Sequence, residues 1–415
     1  MRRDRPRGHA HTDTVRGRER WRAEDSPHRV PYGLEVMPGG RVEIEPCARV
    51  EVGDGRGLLV RRGGTLRALG APGRPIYFGP VASPEGATEG GRWVGLTVAE
   101  GASPDSALAE VTLDGAGAPA LELGPAAALR VGAAHGLSVR GVTIARWGGY
   151  GLALVGPGRV VWSGDLVLRD GAGAEGAASV DDLDAVASLP GLQWQGIRPL
   201  AGRGDVRLTA RQRVVHADAQ WRPLGARYRV RAGARVMVAA TLTLEPRVEM
   251  AFEDESELVV GLDAPGALRA EGDLDGSPVR LGGVDPSAAE PRWRGLFFGP
   301  LTRRDATRLA GVILRGAGLR SRRAMQGCEA SPAPPEPDAA MVTFDGVSAR
   351  DLLRQVRFEV GPPRGYAVAQ GGDIPGLPLD VADPSQGIDL TVAGVGCAQR
   401  WPTRAGRCPV TPRCH

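Results

Sequence analysis

The sequence predicts an all-β chain, a right-handed parallel β-helix built from two tandem copies of a module of about 200 residues. Three observations carry this expectation: a self-match at an offset near 200, short apolar strands between turn residues, and abundant turn formers, with Gly 61 and Pro 34 in 415 residues.

The self-match comes first, because an internal repeat fixes the frame for every other reading. Trp21 and Val30 recur as Trp221 and Val230, and Ile44-Glu45-Pro46 recurs as Leu244-Glu245-Pro246, all at an offset of 200. GTLRALG from Gly64 returns as GALRAEG from Gly266, and PIYFGP from Pro75 returns as PVRLGG from Pro278. RWVGLTV around Trp93 returns as RWRGLFF around Trp293, and VTLDGAG from Val111 as VILRGAG from Val312. A weaker echo places Tyr150 opposite Tyr366, and Trp401, Cys408 and Val410 repeat the spacing of Trp221, Tyr228 and Val230.

Within a module, VEI, VEV, LLV, TLRAL and IYF alternate between apolar and polar positions, the period of a strand with one buried face. Strands this short are stable only when many stack, each over its counterpart one turn earlier, sharing an aliphatic column. A β-propeller would repeat every 40 to 50 residues and tandem sandwiches near 100, as order-of-magnitude periods, and neither is visible. The expected division is a disordered basic tail at 1–20, a first module at 21–175, an Ala/Gly-rich connecting loop at 176–204 and a second module at 205–325. A Pro-rich loop at 326–340, the last coils at 341–395 and a Cys-rich cap at 396–415 complete it.

The order W, YRV, [IL]-E-P, G-x-L-x-A-x-G, P-I-x-F, W-x-G-L, V-x-[IL]-x-x-A-G, G-Y-G-L resembles bacterial right-handed β-helix repeat proteins of the pectate-lyase-like superfamily over residues 21 to 410. The resemblance implies an exported or envelope protein and specifies fold better than activity, since lyases, hydrolases and adhesins share it. It lacks a lipobox cysteine.

Composition excludes some chemistry. The chain has no Lys and no Asn, so lysine Schiff bases, lysine general bases and N-glycosylation are ruled out. The net charge of +4 is matched by residues 1–30 alone, nine Arg against five acids, so the remainder is neutral and nucleic acid is not an expected partner. No stretch of 18 apolar residues predicts a transmembrane helix, and the first residues, MRRDRPRGHAHTDTV, carry no apolar signal core. The five cysteines point toward export: Cys397, Cys408 and Cys414 read as a disulfide clamp on the last coil, with Cys328 in reach of the spare thiol. A start codon downstream of a true signal would reconcile the two. Cys47 takes a turn position and is expected unpaired.

Residues present in both copies (Glu45/Glu245, Trp93/Trp293, Trp21/Trp221) read as architecture, so site candidates are sought among residues of one copy only. The acidic run Asp181, Asp182, Asp184 is expected in a loop; pectate-lyase-like enzymes use such clusters to hold Ca²⁺ beside a basic residue. The four carboxylates of Phe252-Glu253-Asp254-Glu255-Ser256-Glu257 offer oxygen ligands for the same ion. His135, Arg140, Arg146, Trp147 and Tyr150 are the preferred ligand-binding patch, guanidinium groups beside aromatic rings suited to an acidic sugar. Arg303, Arg304 and Arg308 with Arg320, Arg322 and Arg323 form a second basic zone. None of the six His stands in a catalytic motif, and no C-x-x-C spacing suggests zinc. The expected function is therefore a non-enzymatic envelope or extracellular protein that binds acidic polysaccharide or acts as an adhesin; a polysaccharide lyase or glycoside hydrolase of the same class is the alternative, and a ligand-free structural spacer a third.

Overall fold

The computed structural model describes residues 8–11, 13–81, 92–120, 124–132, 137–156, 160–171, 175–196, 204–285, 287–288, 292–318, 340–347, 351–359, 366–371, 390–393 and 399–400. Among them the helical segments are two short 3-10 turns, Ala23–Asp25 and Leu183–Ser188; the regular structure is otherwise β. The chain divides into two compact units, 1–210 with 224–226 and 211–223 with 227–415.

In the first unit the strands fall into three rows, and every neighbour within a row is parallel. One row runs through Thr14–Val15, Leu34–Val36, Gly57–Val60, Gly95–Val98, Ala127–Val131, Tyr150–Leu154 and Gly176–Asp182. A second holds Arg18–Trp21, Arg41–Ile44 and Thr65–Leu69, and a third His28–Val30, Arg49–Val52 and Ile76–Pro80. The long strands Ala107–Asp114 and Ser138–Ala145 then continue both. Visiting the rows in turn supplies the long crossover that parallel pairing requires between neighbours.

Alternation does the rest. Val36, Val60, Val98, Val131, Leu154 and Val180 lie in register and are each 3 % exposed or less. Trp21, Ile44, Ala68, Leu108 and Val139 form a second buried column. Burying each Val or Leu is worth about 2 kcal/mol, which favours one register, because a slip by one residue turns the whole column outward.

The second unit repeats the scheme. One row runs through Val214–Val215, Arg235–Val238, Glu257–Val260, Gly295–Phe298, Ala340–Asp345 and Tyr366–Gly371. Another runs through Tyr228–Val230, Glu249–Phe252, Val279–Gly283, Arg308–Arg315, Leu353–Glu359 and Leu390–Ala393. Aromatic rings thicken this core: Phe252 stacks on Trp293 at 4.0 Å between ring centres.

Two segments differ from the sequence expectation. Residues 14–20, expected in a disordered tail, join Trp21 in two strands that bury Val15 and Trp21 under an Arg-rich outer face. Residues 176–195, expected as loop, form Gly176–Asp182, the 3-10 turn and Leu192–Gln195, because Ala178 and Val180 continue the apolar columns despite the low-complexity sequence. Tryptophans shared by the copies are core. Trp93 and Trp293 are fully buried, and their indole N–H groups donate to the carbonyls of Asp114 and Arg315 at 2.7 and 2.9 Å.

Candidate functional site: a glycine-floored groove

Along the first row of the first unit, the residues between the buried valines and leucines point outward: Thr14, Glu35, Leu59, Thr97 and Arg130 stand in register. Beside them Gly57 pairs with Gly95, and Gly33 lies against Gly57. Three adjacent rungs thus lack a side chain at one position. A Cβ at Gly57 would stand 3.1 Å from both Val94 Cβ and the Gly95 carbonyl, and Gly95 itself, at φ +116, approaches the Ala127 carbonyl too closely for any Cβ. The result is a groove of about 520 Å³ walled by Asp13, Tyr32, Glu35, Arg56, Arg61 and Thr97.

The walls are chemically mixed. Tyr32 is 76 % exposed, the one aromatic ring among the exposed large hydrophobic side chains of the described residues. Arg61 grips Glu35 through two hydrogen bonds, donating from Nε at 3.0 Å and from Nη2 at 2.8 Å. Arg56 and Asp13 are exposed, and neither makes a side-chain ion pair among the described residues. Behind Thr97, the Arg130 guanidinium is buried and donates to Thr97 Oγ1 at 3.0 Å and to the Pro125 carbonyl.

A second cluster gathers around Asp114 on the strand Ala107–Asp114. Its buried carboxylate accepts from Arg146, with Nε at 2.8 Å and Nη2 closer still, and from the Tyr77 hydroxyl. Burial opposes the charge of Asp114, but the bonds from Arg146 and Tyr77 outweigh it and hold the carboxyl below its usual range. Tyr77 is pushed up to about 12 by burial and by its bond to Asp114. Arg49 lies over the Tyr77 ring at 4.9 Å. These groups satisfy one another, a structural node rather than an acid–base pair titrating near neutrality.

The preferred sequence patch does not assemble. Arg146 is tied to Asp114, while Trp147 is fully buried with its indole donating to the Gly176 carbonyl at 3.2 Å. Tyr150 is 4 % exposed and packs against Ala127 and Ala153. Neither ring presents a face to a ligand. Arg140 is exposed on Ser138–Ala145, and His135 lies outside the described residues. Asp181 and Asp182 end a strand rather than sitting in a loop. Asp181 accepts from the Gly156 N–H at 2.6 Å, and Asp182 caps the 3-10 turn by accepting from the Asp184 N–H at 2.9 Å. Strand alternation sends the two to opposite faces.

The second acidic run is equally dispersed. Glu253 accepts from Arg229 at 2.6 Å, Asp254 pairs with Arg292 at 3.4 Å, Glu255 with Arg294 at 3.2 Å and Glu257 with Arg235 at 3.3 Å. Each carboxylate has its own arginine, and no group of His, Cys, Asp and Glu among the described residues is arranged to hold a metal. In the basic zone, Arg303 donates to Thr241 at 2.7 Å. Arg304 and Arg308 border a cavity of about 450 Å³ with Arg269, Glu271 and Arg354, where Glu271 is shared between Arg269 at 3.4 Å and Arg308 at 3.6 Å. Arg320, Arg322, Arg323, Cys328, Cys397, Cys408 and Cys414 lie outside the described residues. Cys47 is an exposed free thiol.

Near the start of the chain a histidine relay packs on Trp21. His28 Nε2 donates to the Arg22 carbonyl at 2.7 Å, which leaves its Nδ1 to accept from His11 Nε2 at 3.0 Å. His11 stacks on Trp21 at 4.0 Å, and its Nδ1 lies 3.2 Å from Glu19, a contact that becomes a charge-assisted hydrogen bond when His11 gains a proton. Burial, reinforced by His28, pushes His11 down to about 4, and burial also lowers His28.

The groove escaped the sequence reading because glycines were read as turn punctuation. The signal was present in the repeat itself, since register places Glu257 where the first unit has Gly57, and Phe297 where it has Thr97. Comparison with models of known protein families, with curated proteins and with solved structures found no match. No helix among the described residues is long and apolar enough to cross a membrane.

Proposed function

We propose that this chain is a right-handed parallel β-helix protein of the cell envelope or extracellular space, which binds acidic polysaccharide in the groove of its first unit without acting on it chemically. The observation that carries the reading is the groove's wall. An exposed Tyr32 ring, which complements the C–H face of a pyranose, stands beside a run of three glycines and an Arg56 guanidinium that pairs with no carboxylate among the described residues. The extended floor across three rungs suits a chain rather than a compact ligand. The parallel rows, visited in fixed order, support the β-helix, and the late cysteines and the superfamily resemblance support export.

A lyase needs carboxylates and a basic residue converging on one sugar. Asp181 and Asp182 are turned apart and Arg146 is bound to Asp114, so the residues that suggested this alternative do not supply it.

The test is titration of the purified protein with polygalacturonate and with neutral dextran, alongside an assay for unsaturated uronate. The expected result is salt-sensitive binding of polygalacturonate alone, weakened about tenfold by Tyr32→Ala or Arg56→Ala, with no product released. Equal binding of dextran would defeat the acidic-ligand reading. Release of unsaturated uronate would transfer the protein to the lyases.

A further inference from the structure

We propose that Thr97, backed by the buried Arg130, is the carboxylate anchor of the groove, the point at which an acidic sugar is distinguished from a neutral one. This inference rests on the reading of the groove as a glycan site and names the group that selects the ligand.

Arg130 is 3 % exposed. Its Nη1 donates to Thr97 Oγ1 at 3.0 Å and its Nη2 to the Pro125 carbonyl, both neutral acceptors, while Nε has no partner. No carboxylate pairs with it among the described residues, and burial alone lowers its proton affinity. A buried guanidinium favours a negative partner, and among the described residues Arg130 has only these neutral acceptors. The groove is where such a partner can sit, because Thr97 belongs to both: it lines the groove and accepts from Arg130.

The direction of the Thr97 hydroxyl follows. Its oxygen is already an acceptor for Arg130, so its own proton points away from that guanidinium, and among the described residues no acceptor takes it. A ligand oxygen in the groove completes the bond. A hydroxyl polarised by a cation behind it is a stronger donor, and it prefers a carboxylate oxygen to a sugar hydroxyl. The arrangement is not part of the shared architecture, because register puts Phe297 and Thr343 at the corresponding positions of the second unit.

The experiment measures polygalacturonate and dextran binding by wild type, Thr97→Val, Arg130→Met and Tyr32→Ala, with thermal unfolding of each. Thr97→Val keeps the shape and removes the donor. It is expected to weaken polygalacturonate binding about tenfold and leave the unfolding temperature within a few degrees. Arg130→Met removes an uncompensated buried charge in favour of an apolar chain, so it is expected to raise the unfolding temperature while weakening polygalacturonate binding. A purely structural arginine would lower both or neither. Wild-type affinity in Thr97→Val, with binding still lost in Tyr32→Ala, overturns the anchor and keeps the glycan site. Absence of wild-type binding to polygalacturonate overturns both.

Discussion

Residue 28 is histidine in the first unit and residue 228 is tyrosine in the second, yet each reaches the same place: His28 Nε2 donates to the Arg22 carbonyl and the Tyr228 hydroxyl to the Arg222 carbonyl, both at 2.7 Å. Asp54–Arg92 and Asp254–Arg292 likewise close equivalent turns at 2.7 and 3.4 Å. On the outer face the units part company. Asp114 accepts from Arg146 in the first, whereas its counterpart Arg315 donates in the second to Glu359, which stands where the first unit has Ala145. Gly33 and Gly57 open the groove, while their counterparts Arg235 and Glu257 form an ion pair at 3.3 Å across the same rungs. Core columns and turn closures constrain residue type through packing; outward positions answer only to solvent or to a ligand, so divergence there is where binding resides.

The comparison is broken most forcefully at the shared tryptophans. Trp93→Ala and Trp293→Ala should each cost about 3–5 kcal/mol in urea unfolding, the loss of a large buried ring with its cavity. Costs differing by more than about 2 kcal/mol would show that equal geometry does not carry equal energy in the two units.

Acid separates the units next. His11 and His28 have folded-state pKa values below the ordinary 6.5, His11 near 4, so the unfolded chain takes up protons first as pH falls. Their contribution is complete above about pH 6.5 and is lost on descent toward pH 4, about 3 kcal/mol from His11. His28→Tyr, which imports the second unit's residue, should keep stability above pH 7 and flatten this slope. An unchanged slope in urea midpoints from pH 7 to 4.5 would remove the relay as its origin.

Grafting the other way sharpens the contrast. Gly57→Glu, the residue of the second unit, should fill the groove and reduce polygalacturonate binding more than tenfold, at a stability cost of about 1–3 kcal/mol because its Cβ crowds Val94 and the Gly95 carbonyl. The smallest effect belongs to Cys47 and Arg247, which share positive φ angles of 73° and 69°. Cys47→Asn and Arg247→Asn should each raise stability by about 0.5 kcal/mol, because asparagine tolerates the left-handed region. Opposite signs would mean that one of the two turns is held by its side chain.

The repeat and the strands were legible because both rest on spacing: Trp21 with Trp221 and the alternation in RVEI and TLTL need no knowledge of neighbours. Residues 14–20 were misread since arginines dominate their composition while Val15 alone marks the buried face. Arg146, Trp147 and Tyr150 are close in sequence, but Arg146 sits at φ +47, and the backbone turn sends the arginine out while the two rings go in. The groove was hardest to read, being made of missing side chains. Arg130 was invisible for another reason: in AALRV all five residues are buried, so alternation alone sets it outside.

Five indoles sealed from water, Trp21, Trp93 and Trp147 in the first unit and Trp221 and Trp293 in the second, make the protein its own optical probe. All five should emit in the blue while their surroundings stay dry. Among the described residues, only Trp21 has imidazole rings stacked against it, from His11 and His28. Protonated imidazole quenches indole emission, so acid near pH 4, where folded His11 gains its proton, should dim the first unit's fluorescence and leave the second unit's unquenched.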